Sequence, residues 1–327
     1  MLNKKVLITG GLGFIGSNLA KKCLELGADV TILDNLMDDT GSNLFNIEEI
    51  KEKIEFIRGD IRDRDLMEEV VKNKDIIFNL AAQVSPVLSM ENPYLDIDIN
   101  CKGQITVLEA CRKNNPGVKI IYSGTRTQTG AVKSGIIDEN CEDNPSDIYG
   151  AGKLAGEIYH LIYNKVYGIK TCSLRFTNIY GEKAQIKNPK YGVINWMIGR
   201  AVSGNSLTVF KPGDQLRDIL YINDAVDALI LAAVKDVEGV FVVGSGKGVK
   251  FVDISKSIAE VSGNVKVELV DWPENRKNIE VGDAVLDIGK IMDLGWSPKV
   301  SLYEGLRKTV DFYRNHLDKY IMEGKKF

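Results

Sequence analysis

Histidine and cysteine are scarce, and their scarcity excludes several kinds of site. Two histidines occur in 327 residues, His160 and His316, and no metal-ligand spacing links them. The five cysteines are dispersed and form no C-x-x-C pair: Cys23, Cys101, Cys111, Cys141 and Cys172. An odd, scattered set indicates reduced thiols rather than a disulfide framework or a zinc site. We therefore expect no bound metal and a cytoplasmic location.

Long apolar runs and an excess of one charge are also missing. The sequence has no run of about 18 apolar residues that could span a membrane, and no apolar signal-peptide core follows Met1. The net charge is −3, which provides no basic face for nucleic acid or an anionic membrane. We expect neither partner, whereas a phosphorylated small molecule would need only local positive charge.

Short β-branched runs alternate with helix-like stretches through the first half of the chain. The predicted strands are Val6–Thr9, Val30–Leu33, Ile54–Arg58, Ile76–Leu80, Val118–Ser123 and Thr171–Phe176. Continuous apolar strands separated by amphipathic helices indicate an α/β fold with a doubly wound parallel Rossmann sheet. We assign residues 1–176 and about 214–238 to this Rossmann domain. The remaining residues, about 177–213 and 239–327, would form a smaller C-terminal α/β subdomain that caps it.

A glycine-rich segment, Ile8-Thr-Gly-Gly-Leu-Gly-Phe-Ile-Gly16, joins the first predicted strand to the first helix. Its glycines Gly10, Gly13 and Gly16 allow a tight turn, close approach to a pyrophosphate and close helix–strand packing. The helix N-terminus offers unpaired N–H groups to that pyrophosphate. Asp34 ends the second strand, where a carboxylate accepts ribose hydroxyls and repels a 2′-phosphate. The combination predicts NAD rather than NADP as the cofactor.

Tyr149 and Lys153 lie one helical turn apart in Tyr149-Gly-Ala-Gly-Lys153. This spacing alone is weak, because two other tyrosine–basic pairs occur that we interpret as structural: Tyr122/Arg126 and Tyr303/Arg307. Thr125 distinguishes the Tyr149/Lys153 pair from these two. It follows the fifth predicted strand, and its hydroxyl can converge with the phenol of Tyr149 on one substrate oxygen. A neighbouring cation would lower the tyrosine pKa toward the working pH. We therefore predict Thr125, Tyr149 and Lys153 as catalytic, with Tyr149 as the base.

Together these motifs resemble the extended short-chain dehydrogenase/reductases, and within them the NAD-dependent nucleotide-sugar epimerases and dehydratases of the UDP-galactose 4-epimerase type. The resemblance covers essentially the whole chain and is carried by these segments: Thr9–Gly16, Asp34–Leu36, Gly59–Ile61, Leu80–Ala82, Asn100, Thr125, Tyr149-x-x-x-Lys153, Arg175-x-x-Asn178-x-x-Gly181, Arg217-Asp218, Asp224 and Leu294-Gly-Trp-x-Pro298.

The resemblance implies two further sets of residues. The cofactor contacts would be Gly10, Gly13, Phe14, Ile15, Gly16, Asp34, Asn35, Asp60, Ile61, Leu80, Ala81, Ala82, Asn100, Tyr149, Lys153 and Phe176. A nucleotide-sugar substrate would contact Ser85, Thr125, Arg126, Asn178, Val193, Thr208, Phe210, Arg217 and Lys277. In this second set, Asn178 and Arg217 would hold the diphosphate, because a guanidinium suits bidentate phosphate binding.

Several positions depart from the family's usual residues. Asn79 stands where many members have histidine, and Gly124 and Thr129 replace serine and tyrosine in the loop of the catalytic threonine. Arg126 adds a charge in that loop, and Lys277 stands near the family's phosphate-binding arginine. These departures concern the sugar and the base rather than the cofactor chemistry.

The residues after Thr125 bear on the reaction, because Arg126, Thr127 and Gln128 include no carboxylate. Related dehydratases carry an acidic pair there, and related decarboxylases a glutamate. The sequence therefore favours epimerisation at C4 of a nucleoside-diphosphate sugar through a transient 4-keto sugar. An NDP-sugar 4-dehydrogenase, 2-epimerase or 4,6-dehydratase is the alternative enzyme, and an NAD-sensing or scaffold protein is the alternative without catalysis.

Two predicted helices favour a homodimer, by analogy with the family: those near Gly103–Lys113 and Tyr149–Tyr167. The second carries more apolar residues than one buried stripe needs, namely Leu154, Ile158, Leu161, Ile162 and Val166.

Overall fold

A parallel sheet of seven strands forms the centre of the molecule. The computed structural model describes residues 1–38, 40–273 and 282–321. The strands of the sheet are β1 (Lys5–Thr9), β2 (Asp29–Asp34), β3 (Glu55–Arg58), β4 (Ile76–Asn79), β5 (Lys119–Thr125), β7 (Thr171–Phe176) and β12 (Gly239–Val243). Their order across the sheet is β12-β7-β5-β4-β1-β2-β3. This arrangement confirms the predicted doubly wound Rossmann sheet.

Helices pack against the central sheet and against the short strands outside it. They are α1 (Phe14–Glu25), α2 (Arg64–Val70), α3 (Pro86–Glu91), α4 (Pro93–Ile97), α5 (Gln104–Asn114), α6 (Ile148–Tyr167), α7 (Val193–Val202), α8 (Ile222–Val234), α9 (Phe251–Val261), α10 (Gly289–Met292) and α11 (Leu302–Tyr320). A short π-helical segment, Asp98–Gly103, links α4 to α5. The last helix, α11, is interrupted at His316, whose φ of −136° is non-helical, and continues to Tyr320. The hydroxyl of Tyr320 donates to Asn46 Oδ1 at 2.6 Å, a long-range contact that the local pattern does not reveal.

Successive residues of each central strand enter different hydrophobic cores, because side chains alternate across a sheet. On β1, Val6 and Ile8 belong to one core, which also includes α1 and α8 side chains, while Leu7 belongs to the other. All three are fully buried. Burial on both sides explains why the predicted strands have continuous apolar sequences.

Outside the central sheet, short strands pair two by two. They are β6 (Ile136–Ile137) with β15 (Val285–Leu286), β8 (Asn178–Tyr180) with β11 (Ile219–Tyr221), β9 (Leu207–Phe210) with β14 (Val267–Val270), and β10 (Leu216–Arg217) with β13 (Val249–Lys250).

The assignment of residues 239–327 to the cap is wrong for its first strand. β12 pairs in parallel with β7, placing Val242 beside Arg175 and Val243 beside Phe176, and so completes the central sheet. A five-residue apolar run does not indicate which sheet it joins, because strand pairing is a long-range interaction.

Candidate active site

The turn between β1 and α1 is as tight as its glycines predict. Gly10 has φ +69°, and a Cβ there would lie 3.1 Å from the Cα of Ala81. At Gly16 a Cβ would lie 2.2 Å from the carbonyl oxygen of Gly10, so the helix can approach the strand only because Gly16 has no side chain. Gly13 is the N-cap of α1 and supplies no side-chain acceptor. The first N–H groups of the helix, around Phe14 and Ile15, thus suit the pyrophosphate of a dinucleotide.

Asp34 lies at the carboxyl end of β2, where its carboxylate is held in place. Its Oδ2 accepts from Leu12 N at 3.1 Å, and its Oδ1 accepts from Leu36 N at 2.9 Å and from Ser42 Oγ at 2.8 Å. A cavity opens beside it, and predicted cofactor residues contribute to its lining: Gly10, Asp34, Asn35, Asp60, Ile61, Ala81 and Ala82.

Asn35 and Asp60 meet across the ends of β2 and β3. The Asn35 Nδ2 donates to Asp60 Oδ2 at 2.8 Å, and Arg62 donates to the same carboxylate. Burial raises the pKa of Asp60, but the hydrogen bonds from Arg62 and Asn35 outweigh it and lower that pKa to about 2. The carboxylate is therefore ionised at neutral pH.

Asn100 holds the loop that follows Leu80, at the end of β4. Its Oδ1 accepts from Gln83 N at 3.0 Å, and its Nδ2 donates to Gln83 O at 2.9 Å and to Asp96 Oδ2 at 3.0 Å. The side chain is fully buried. Asn100 thus fixes the loop that follows Ala81 and Ala82, while its contact with the cofactor stays a prediction.

The hydroxyls of Thr125 and Tyr149 meet at the carboxyl end of β5. Thr125 is the last residue of that strand, and Tyr149 lies in the first turn of α6, whose N-cap Asp147 accepts from Gly150 N at 2.7 Å. The Thr125 Oγ1 accepts from the N–H of Thr127 at 3.3 Å and from its hydroxyl at 3.2 Å. The Thr125 hydroxyl is then left free to donate, and its interaction with Tyr149 lowers the pKa of the phenol.

Phe176 pairs with Thr125 across the β5–β7 ladder, which places its backbone beside the same site.

The pKa of Tyr149 differs from the value that we expected from the sequence. Burial raises the pKa of Tyr149 to about 12, while the hydrogen bond with Thr125 and the charge of Arg126 oppose the rise. Lys153 was expected to lower this pKa, but burial lowers the pKa of Lys153 itself to about 7. The lysine therefore carries only part of its charge at neutral pH, because desolvation disfavours the ammonium form.

Lys153 lies over an aromatic ring inside the protein. Its Nζ is 4.2 Å from the ring centroid of Tyr122. Tyr122, interpreted as structural from its sequence, is fully buried, and its hydroxyl donates to Lys153 O at 3.1 Å. Nearby His160 is also structural, because its ring lies between Gly156 O at 2.7 Å and Asn79 Nδ2 at 3.2 Å. Burial lowers the pKa of His160 to about 4, which keeps the ring neutral.

Ser85, which was expected to contact the substrate, lies at the start of α3. The residue is fully buried as the N-cap of α3, where its Oγ accepts from Leu88 N at 3.2 Å. Helix N-caps favour serine for this hydrogen bond, so the hydroxyl serves the helix and is not exposed to a ligand.

The other expected substrate contacts lie on different elements. Asn178 begins β8 and is half-buried. Arg126 follows Thr125 directly, and its charge acts on both Tyr149 and Asp147. Arg217 is buried in β10, and its Nη1 donates to the backbone carbonyls of Leu216 and Gly282.

Three more of the expected substrate contacts, Val193, Thr208 and Phe210, lie on α7 and β9. Val193 is the first residue of α7 and is exposed, and Thr208 is exposed on β9. Phe210 ends β9, and its ring centroid is 4.7 Å from that of Trp272. No hydrogen bond in the described part of the chain links these three to Tyr149. Lys277 lies outside the described residues.

Two features of the site were missed from sequence. Ser42 and Thr40 line the cavity beside Asp34, although they lie in a loop of no recognisable motif. Gln83 and Asp96 form the buried network around Asn100. Pro93-x-x-Asp96-x-x-x-Asn100 places Asp96 and Asn100 one helical turn apart, which was the available signal.

Within residues 1–38, 40–273 and 282–321, no group of three or more His, Cys, Asp or Glu side chains could hold a metal ion. The described helices include none with the length and apolar character needed to cross a membrane.

Comparison with known proteins agrees with this geometry. The model of the NAD dependent epimerase/dehydratase family matches residues 6–244. UDP-glucose 4-epimerase of Mycolicibacterium smegmatis is 32% identical over 317 residues, covering 95% of this chain and 99% of its own. UDP-glucose 4-epimerase of Thermotoga maritima, solved with UDP-glucose, superimposes with a TM-score of 0.87 at 32% identity, covering 96% of this chain and 99% of that one. The Thermus thermophilus UDP-glucose 4-epimerase complex with NAD gives a TM-score of 0.83 at 32% identity, covering 95% and 99%.

The chain belongs to the NAD dependent epimerase/dehydratase family, and NAD is its cofactor. Both conclusions agree with the sequence prediction.

Proposed function

We propose that the protein is an NAD-dependent epimerase that interconverts C4 epimers of a nucleoside-diphosphate sugar, most specifically a UDP-sugar. The observation that carries this proposal is that Thr125 acts on Tyr149, whose pKa it lowers, at a site where no carboxylate follows Thr125. Dehydration at C5 and C6 needs an acid and a base beyond the tyrosine, and Arg126, Thr127 and Gln128 offer neither. The solved relative with UDP-glucose supports a uridine nucleotide as the carrier.

Tyr149 and Thr125 would perform the proton chemistry. The Tyr149 oxygen takes the proton of the sugar 4-hydroxyl and later returns it, while the Thr125 hydroxyl donates to the phenolate and stabilises it. When bound, NAD would accept a hydride from the sugar carbon and return it. Because the proton that Tyr149 takes from the sugar 4-hydroxyl is returned to the sugar in the second half of the reaction, no external acid or base is needed.

The cofactor side of the proposal rests on the glycine turn and Asp34. Gly10, Gly13, Phe14, Ile15 and Gly16 would hold the pyrophosphate by backbone groups. Asp34 and its neighbours at the ends of β2, β3 and β4 would hold the adenosine. The 2′-phosphate of NADP would meet the Asp34 carboxylate, so we expect discrimination in favour of NAD.

The nucleotide must remain bound while the intermediate sugar turns. Asn178 and Arg217 would hold the diphosphate, and Val193, Thr208 and Phe210 would contact the base. The buried guanidinium of Arg217 is positioned by the carbonyls of Leu216 and Gly282. Such positioning reduces the entropy lost when a phosphate binds.

The test is NMR of the product pool after the NAD-loaded enzyme is incubated with UDP-glucose, UDP-galactose and their N-acetyl derivatives, each separately. We expect both C4 epimers of the accepted compound to appear without added cofactor. Formation of a 4-keto-6-deoxy sugar would contradict the proposal in favour of a dehydratase, and stoichiometric NADH release would indicate a dehydrogenase.

We also propose that the protein is a homodimer joined through α6 and its neighbours. Apolar side chains remain exposed along α6, with exposures of 43% at Ile158, 47% at Ile162 and 61% at Val166. Tyr94 and Ile97 of α4 are also exposed, and Ile97 lines a surface cavity together with Tyr159 of α6. An apolar surface spread over adjacent helices fits a second copy of the same chain.

A further inference from the structure

A buried carboxylate that takes no part in the chemistry above lies beside the catalytic helix. Asp96, on α4, has no exposed surface. Its Oδ2 accepts from Gln83 Nε2 at 2.8 Å and from Asn100 Nδ2 at 3.0 Å. Its Oδ1 is buried and has no hydrogen-bond donor among the described residues. A buried charge that is only partly hydrogen-bonded needs a compensating charge nearby, because burial is costly.

A glycine brings this carboxylate close to α6. A Cβ at Gly152 would lie 2.5 Å from Asp96 Oδ1 and 3.1 Å from the Cβ of Asn100. Any larger side chain at position 152 would therefore push the carboxylate away. The close approach therefore brings the negative charge against the turn of α6 that carries Lys153, and the charge of Asp96 acts on the lysine.

Lys153 needs such a charge to remain an ammonium ion. Burial lowers the pKa of Lys153 to about 7, and the two opposing influences are the charges of Asp96, the larger, and Glu157. Glu157 already has a cation of its own, since its carboxylate accepts from Arg175 Nε at 3.1 Å. Asp96 is thus the carboxylate whose charge acts mainly on Lys153.

The tyrosine, cysteine and histidine side chains around Lys153 are neutral at physiological pH. Burial raises the pKa of Tyr122 on β5 far above its usual value, raises that of Tyr149 to about 12 and raises that of Cys101. His160 on α6 is neutral, as described above. Asp147 and Arg126 carry opposite charges. Burial raises the pKa of Asp96, whereas the hydrogen bonds from Gln83 and Asn100 and the charge of Lys153 oppose the rise.

We propose that Asp96 is a positioning residue that keeps Lys153 protonated and thereby sets the pH range in which Tyr149 can act. The proposal rests on the function proposed above for Tyr149. A nearby anion favours the protonated form of Lys153 and the protonated form of Tyr149. Removing the negative charge of Asp96 therefore lets both side chains lose their protons at lower pH. Asp96→Asn should therefore move the whole pH profile of kcat to lower pH. We expect a shift of about one to two pH units for the loss of one buried charge.

Asp96→Asn isolates the charge, because an amide oxygen can accept the same two hydrogen bonds from Gln83 and Asn100. The matched control is Asp98→Asn, two residues away, whose carboxylate pairs with Lys102 at 2.6 Å on the surface. The control should leave the pH profile in place. Gly152→Ala is the second variant, and we expect a shift in the same direction because the new Cβ displaces the carboxylate.

Two measurements separate this proposal from the proposed function. The first is the pH dependence of kcat for the NAD-loaded enzyme. The second requires no turnover: the Nζ chemical shift of Lys153 is followed against pH in protein labelled with ¹⁵N-lysine and assigned with Lys153→Met. We expect the Nζ of Lys153 to lose its proton at least about one pH unit lower in Asp96→Asn than in the wild type.

An unchanged Nζ titration in Asp96→Asn would overturn the proposal, and so would a lower kcat without any movement of the profile. If Asp96→Asn does not fold, an unchanged titration in Gly152→Ala would overturn it. Absence of epimerase activity in the wild type, together with a shifted Nζ titration, would refute the proposed function but support the role of Asp96 toward Lys153.

Discussion

At the scale of single residues, the site depends on the direction in which the Thr125 hydroxyl donates its proton. Thr125 accepts hydrogen bonds from both donors of Thr127, so it can give its own proton to the oxygen of Tyr149. Without that contact the buried phenol would be still harder to ionise, because burial already raises its pKa to about 12. The positive charge of Arg126 favours ionisation, and protonated Lys153, one helical turn along α6, would add a second.

Tyr149→Phe should remove most of the activity while preserving the fold. We expect kcat to fall by roughly 10²–10⁴-fold, as is usual for the loss of a general base, with NAD affinity largely intact. Steady-state kinetics and calorimetric titration with NAD measure the two effects. Tyr303→Phe is the matched control, because Tyr303 is 54% exposed and belongs to a pair of the same spacing. A variant Tyr149→Phe that retained wild-type kcat would exclude Tyr149 as the base.

At the scale of elements, the β1–α1 unit shows how backbone geometry replaces side chains in a binding site. Gly10 allows the turn to lie against Ala81, and Gly16 allows α1 to begin directly above the turn. The N-terminus of the helix then points its N–H groups at the position where a pyrophosphate binds. The pattern of three glycines was readable from sequence because each glycine serves a local steric need.

Gly16→Ala should destabilise this element and weaken cofactor binding together. The added Cβ would lie 2.2 Å from the carbonyl oxygen of Gly10, so strand and helix must separate. We expect a loss of about 1–3 kcal/mol in the free energy of unfolding, typical of overpacking, and reduced NAD affinity. Urea denaturation and calorimetry measure both. Gly41→Ala is the control, because its Cβ would meet no atom within 4 Å, and equal effects of the two variants would contradict the steric argument.

At the scale of the whole molecule, the exposed face of α6 connects the catalytic helix to the proposed dimer. One side of α6 carries Tyr149 and Lys153 toward the sheet, while Ile158, Ile162 and Val166 remain exposed. A second copy that covers this face would also restrain the helix that holds the catalytic residues. Assembly and activity should therefore be linked.

Ile162→Lys should convert the proposed dimer into a monomer at micromolar concentration, because an ammonium would be buried in an apolar interface. Light scattering measures the change in mass. Val234→Lys is the control, since Val234 is an apolar residue of similar exposure, 56%, at the end of α8. A monomeric wild-type protein would refute the proposed interface.

Local features of the sequence predicted the Rossmann sheet, the glycine turn, Asp34 and the proximity of Thr125 to Tyr149. Alternating apolar strands and helices, and glycines required by a tight turn, depend on neighbours in sequence, so they are readable without a structure. Tertiary structure decided the rest: that β12 completes the central sheet, that Ser85 is a buried cap, and that Asn100 supports a loop. It also decided the charge on Lys153, because burial and the approach of Asp96 through Gly152 arise only when distant segments pack together.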